Sequence, residues 1–90
     1  MKQTYLDVNQ IYNQLVIPFR KNLGRQLLQL REDNELTAYQ VSKMVGWGVS
    51  AADIHDYEAG RYNAVSMEIL LLLAHVYQKS VRIVFDDKKV

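Results

Sequence analysis

The sequence predicts a mainly α-helical domain: four core helices, an extra helix before them and a β-strand after them. Three observations carry that expectation. Apolar residues recur at three- and four-residue spacing from Leu6 to Ala74, the period of helices with one buried face. Thr37, Ser50 and Ser66 each stand just before such a run, where a hydroxyl caps a helix, and Gly60 follows one as a stop. Last, Val81, Ile83 and Phe85 alternate with Arg82 and Val84, the period of a strand.

Composition bounds the class of protein. Ninety residues at 49% hydrophobic content make one domain with a modest core. A core this small supports marginal stability, which oligomerisation would raise. The chain has no cysteine, so neither a disulfide framework nor a thiolate metal site is expected. With His55 and His75 as its only histidines, it is expected to hold no metal and no cofactor. It has no nucleophile–base motif or glycine-rich phosphate loop, so no catalytic residues are assigned and an enzyme is the least favoured class. The longest apolar run, Ile69 to Ala74, is too short to span a bilayer, and no signal-peptide pattern opens the chain. A cytoplasmic protein with no membrane partner is expected. The net charge of +1 is far from the basic footprint of a typical nucleic-acid binder.

Residues 1–18 read as an N-terminal helical extension, with Leu6, Ile11 and Leu15 beside Val8, Tyr12 and Val16 at helical spacing. Pro18 ends that helix or opens the next. The extension is expected to cover one side of the core; part of a dimer or partner interface is the sharper alternative. The first core helix runs from about Phe19 to Asp33 with Leu23, Leu27 and Leu30 inward. Thr37 caps the second, in which Val41, Met44 and Val45 share a face. Gly46 and Gly48 interrupt it, because two glycines in three residues cost a helix roughly 2 kcal/mol and readily adopt positive φ. Ser50 caps the third, in which Ile54 and Tyr57 share a face, and Gly60 stops it. Two short helices joined by a tight glycine-containing turn form a helix-turn-helix, an arrangement that can place its second helix in a DNA major groove. Ser66 caps the fourth, which is apolar nearly all round from Met67 to Ala74, so a second contact surface is expected there. His75 is expected to be solvated.

From Leu23 to Ser80 the chain resembles the XRE (phage Cro/CI-type) helix-turn-helix family. The matching pieces are Leu23-Gly24-Arg25, Leu30-Arg31-Glu32, Leu36-Thr37, Val49-Ser50, Ile54, Tyr57 to Arg61, Ser66 and Leu73-Ala74. The resemblance implies a lambda-repressor-like helical domain over residues 19–80 and double-stranded DNA as partner. It implies that Arg31 pairs with Glu58 for structural reasons. It places Ser50, Ala51, Ala52 and Asp56 at positions facing bases or phosphates, with Asp53 and His55 beside them. The turn departs from the family by about two extra residues, and either Trp47 or Val49 can fill its buried position. For Trp47, packing is favoured over an exposed contact.

Alanine can pack on a thymine methyl and aspartate can accept from cytosine, so readout by this helix is chemically available. Over Leu36 to Arg61, however, Lys43 and Arg61 face Asp53, Asp56 and Glu58, and that balance opposes binding to a polyanion. Thr37 and Ser50, at helix N-termini, and Lys43, Arg61, Tyr62 and Asn63 are candidate phosphate contacts.

Residues 81–90 read as a strand and a charged tail. A lone strand must find a partner edge, and Val81, Ile83 and Phe85 are expected to pair with the same strand of a second subunit. That feature resembles antitoxin-type members of the family. The expectation is a homodimeric, sequence-specific regulator, a repressor on a palindromic operator. The alternatives are an antitoxin that binds DNA and a toxin, or a helix-turn-helix reused for protein–protein contact.

Overall fold

A computed structural model describes residues 7–61 and 65–88. It contains α1 (Val8–Ile11), a π turn (Tyr12–Val16), α2 (Ile17–Asp33), α3 (Ala38–Val45), α4 (Ala51–Ala59) and α5 (Met67–Val76). The first three run on from one another without a break. Asp7 caps α1 by accepting from the Gln10 N–H at 3.1 Å. Pro18 sits in the first turn of α2 and does not break the rod. A proline has no N–H and its ring crowds the carbonyl four residues back, so the regular ladder must loosen there. The π turn does this: the Ile17 N–H donates to the Tyr12 carbonyl, five residues away.

Because the rod stays continuous, residues 7–18 of the extension do not fold back over the core. Neither α1 nor the π turn contributes a buried residue. That corrects the expectation that this segment covers one side of the domain. The Cα trace measures 53 × 24 × 20 Å with a radius of gyration of 15.6 Å, against about 12 Å for a compact chain of this length.

The core lies between the C-terminal two-thirds of α2 and α3, α4 and α5. Leu27, Ala38, Val41, Val45, Ile54, Ile69, Leu73 and Tyr77 form the buried cluster, and Leu23, Leu30, Leu36, Val49, Tyr57 and Val65 close around it. Two glycines set how closely α2 meets α4. A Cβ on Gly24 would lie 2.4 Å from the Glu58 carbonyl oxygen and 2.6 Å from that of Tyr57. Gly60, left-handed at φ 69°, ends α4 with its Cα side against Lys21. Within α3 the buried stripe is Ala38, Val41, Ser42 and Val45. Met44 is exposed, a correction to its expected place beside Val41 and Val45. The stripe is centred on the other flank of Val41, which leaves Met44 about 110° away around the helix.

Ser66 caps α5 by accepting from the Ile69 N–H at 3.1 Å. Ile69, Leu73 and Ala74 are buried, while Met67 and Leu71 remain exposed. His75 is exposed. The helix ends on Tyr77, buried at 1% exposure. Residues 79–88 run without helix or strand, and Val81, Ile83, Val84 and Phe85 are exposed. Among the described residues no strand forms, so a single copy holds no second edge for the expected ladder.

Candidate nucleic-acid interface

Both helices of the helix-turn-helix begin with a reciprocal cap. Thr37 accepts from the Gln40 N–H at 3.1 Å while the Gln40 side chain accepts from the Thr37 N–H at 2.8 Å. Ser50 accepts from the Asp53 N–H at 3.0 Å and Asp53 accepts from the Ser50 N–H at 2.9 Å. Each box fixes where its helix starts and leaves the remaining first-turn N–H groups pointing outward.

Between them the chain turns through three consecutive residues of positive φ, Gly46 at 68°, Trp47 at 55° and Gly48 at 70°. The Val49 N–H closes the turn on the Gly46 carbonyl at 2.9 Å. Val49 packs against the core, and Trp47 is thrown outward at 71% exposure. Packing is the role that the size of the indole favours, and the backbone overrides it. A positive φ at the crest of the turn aims the side chain away from the domain, and the smaller Val49 fills the inner position.

Arg31 and Glu58 meet as a bidentate pair. Arg31 Nε donates to Glu58 Oε2 at 2.6 Å and Nη2 to Oε1 at 3.0 Å, while Nη1 donates to the Leu36 carbonyl at 3.0 Å. The hydrogen bond to Glu58 raises the arginine above its ordinary pKa, although burial opposes it. One guanidinium thus ties the end of α2 to the end of α4 and to the entry of α3. His55 Nδ1 stands 3.7 Å from the same carboxylate.

The candidate contact residues divide by surroundings. Thr37, Lys43, Ser50, Ala52, His55 and Arg61 are exposed; Ala51, Asp53 and Asp56 are half-buried. Tyr62 and Asn63 lie outside the described residues. The Asp53 carboxylate accepts from the Ser50 N–H through Oδ2, which turns it back toward the start of the helix. Asp56 is ion-paired with Arg61 Nη1. With Glu58 held by Arg31 and Asp56 by Arg61, the charges left over Leu36 to Arg61 are Lys43 and Asp53. The module is therefore close to neutral and less repellent to phosphate than the bare sequence suggests. The same pairing ties up Arg61, which weakens it as a phosphate contact. The outer face of α4 comes down to Ala52, His55 and Ala59, short enough for close approach to a surface.

Sequence reasoning missed the exposed large side chains of α3 and its turn. Tyr39, Met44 and Trp47 are all exposed, and Lys43 Nζ lies 5.1 Å from the Tyr39 ring centre. The four-residue spacing of Tyr39 and Lys43 was the available signal, since such pairs meet on a helix surface.

Short capped helices, a glycine turn and a buried arginine–glutamate clasp define a helix-turn-helix domain. A sequence model of the family described as helix-turn-helix domain matches residues 22–81, two thirds of the chain, and the protein belongs to that family. Membership points to a DNA-binding regulator with DNA as its partner. The match leaves out α1, the π turn and the start of α2. Searches of curated proteins and of solved structures each find no match. Among the described residues no group of side chains is arranged to hold a metal ion, and no helix is long and apolar enough to cross a membrane.

Proposed function

We propose that this chain is a sequence-specific DNA-binding regulator of the XRE type, a repressor that occupies a palindromic operator as a homodimer. The observation that carries the reading is α4: a capped N-terminus behind a glycine turn, with only small or short side chains on its outer face. Ala52 lets the helix backbone approach base edges and offers a methyl contact to thymine, while Ala51, half-buried, packs against the core at the start of the helix, and His55 can hydrogen-bond a base or phosphate. Thr37, Lys43 and Ser50 take phosphates, with Arg61, Tyr62 and Asn63 joining them beyond α4. Pairing of Val81, Ile83 and Phe85 with the same segment of a second copy supplies the dimer. Its two recognition helices then lie about 34 Å apart, one turn of DNA. Bound at an operator in the cytoplasm, the dimer represses by occupancy.

A second reading is favoured by the exposed Tyr39, Met44 and Trp47. Aromatic and methionine side chains are enriched in protein interfaces, and in this reading the motif serves a protein partner, a toxin in the case of an antitoxin. Selection from a pool of random duplexes at low and moderate salt separates the two. Recovery of a palindromic motif supports the regulator. Retention of no sequence above the pool at either salt concentration refutes it and favours the protein-binding reading.

A further inference from the structure

Trp47 is the only tryptophan of the chain and stands at the crest of the turn between α3 and α4. A bulky side chain at positive φ is an outlier that costs stability. Burial would offset that cost, yet the indole is 71% exposed. The turn stands clear of the domain on both sides of it: a Cβ built on Gly46 or on Gly48 would meet no atom within 4 Å. The Val49 N–H closes the turn, and among the described residues the Trp47 and Gly48 N–H groups make no hydrogen bond. An outward indole is thus flanked by bare backbone and two outward donors.

Charge and position say what the turn meets. Lys43 is the only charged residue from Leu36 to Ala52, while Asp53, Asp56 and Glu58 all lie beyond it on α4. The turn therefore belongs to the half of the motif that carries no carboxylate. Trp47 precedes the Ser50 cap by three residues, at most about 10 Å of chain, so the strand that borders a groove receiving α4 passes beside it. We propose that the Gly46–Gly48 turn is a sequence-independent clamp on the backbone of duplex DNA. The indole lies against a deoxyribose, and the Trp47 and Gly48 N–H groups donate to the adjoining phosphate. The bare glycines let the strand come close. This assignment rests on the reading of α4 as the helix that enters the groove. It also supplies what the module lacks: Arg31 and Arg61 are held by Glu58 and Asp56, so few cations are left, and an apolar ring with neutral donors adds contact without them. A protein partner suits the same indole less well. Apolar anchors of protein interfaces sit inside a ring of packed side chains, and the chain neighbours of Trp47 are glycines.

Because the contact reads no sequence, a short fluorescein-labelled duplex of mixed sequence at low salt serves as the probe. Anisotropy of the label reports binding, and the emission of the single tryptophan reports the turn. With the duplex in excess, quenching of that emission by acrylamide is expected to be largely lost. Trp47→Ala is expected to weaken binding about tenfold, the scale of one lost aromatic contact, with the urea unfolding midpoint kept. The variant should keep the slope of log K against log salt, since no charge is removed. It should also keep the preference for a selected palindromic duplex over the mixed one. Duplex binding with quenching unchanged, or Trp47→Ala as tight as wild type, overturns the clamp and leaves α4 as the reading helix. No anisotropy change even at low salt removes the clamp and the DNA reading together. Quenching lost on concentrating the protein without DNA overturns the clamp in favour of a contact between copies.

Discussion

Two stretches of one helical rod meet opposite fates. From Leu23 to Leu30 the apolar positions of α2 pack against the core, and Gly24 lets α4 come within backbone contact. From Val8 to Phe19 the apolar positions, at similar spacing, lead into solvent. The difference lies in the neighbouring chain. Residues after Asp33 turn back over α2 because Thr37, Ser50 and Ser66 start new helices and Gly60 ends one, each at a short interval. Among the described residues no element turns back over the extension in the same way. Helical periodicity tells which face is apolar; it does not tell what covers that face.

The contrast can be broken at several points. Arg31→Ala leaves the Glu58 carboxylate buried without its partner and is expected to cost about 3–5 kcal/mol in urea unfolding; a loss under about 1 kcal/mol would mean the clasp is ornamental. Leu27→Ala should cost about 2–5 kcal/mol as a core truncation, whereas Leu15→Ala in dilute solution should stay within about 0.5 kcal/mol. Similar losses at both sites would show that the extension packs on the core after all.

Tyr77 adds a pH signature on the core side. Burial first, then the nearby Glu58 charge, push its phenol up to about 12, with Arg31 opposing. The folded state therefore holds that proton more tightly than the unfolded one. Its contribution is complete below pH 10 and is lost as pH rises from about 10 to 12, roughly 2–3 kcal/mol in all. Tyr77→Phe should remove that part of the alkaline loss, while a profile identical to wild type would contradict it. Smallest is Ser50→Ala, expected to cost about 1 kcal/mol by removing a cap, with a larger effect on DNA binding than on folding.

Much of the fold was legible because its signals are local. Thr37, Ser50, Ser66 and Gly60 act through hydrogen bonds or backbone angles within a few residues, so the sequence alone locates the helices they bound. The position of Trp47 was not legible, since it depends on three consecutive positive φ values rather than on the size of an indole. Pro18 reads as the end of one helix or the opening of the next, and it stands in the first turn of α2; the π turn that joins α1 to it was not legible, because it has no composition of its own. At the candidate site, residue types reveal that carboxylates outnumber bases over Leu36 to Arg61. They do not reveal that Asp56 is spent on Arg61 across the end of α4, nor which way Asp53 turns, although the Ser50–Asp53 box is itself a local pattern three residues long. The C-terminal alternation of Val81, Ile83 and Phe85 describes a strand without describing its partner, and a single copy holds none among the described residues.

The most direct measurement is the affinity of the wild-type chain and of Ala52→Glu for a selected palindromic duplex across a salt series. Wild type should bind with log K falling linearly as log salt rises, by about 0.9 for each phosphate neutralised. Ala52→Glu, which puts a carboxylate on the face of α4 turned to the bases, should lose nearly all specific binding. Equal affinity of the two chains, or an affinity indifferent to sequence, would contradict the assignment of α4 as the reading helix.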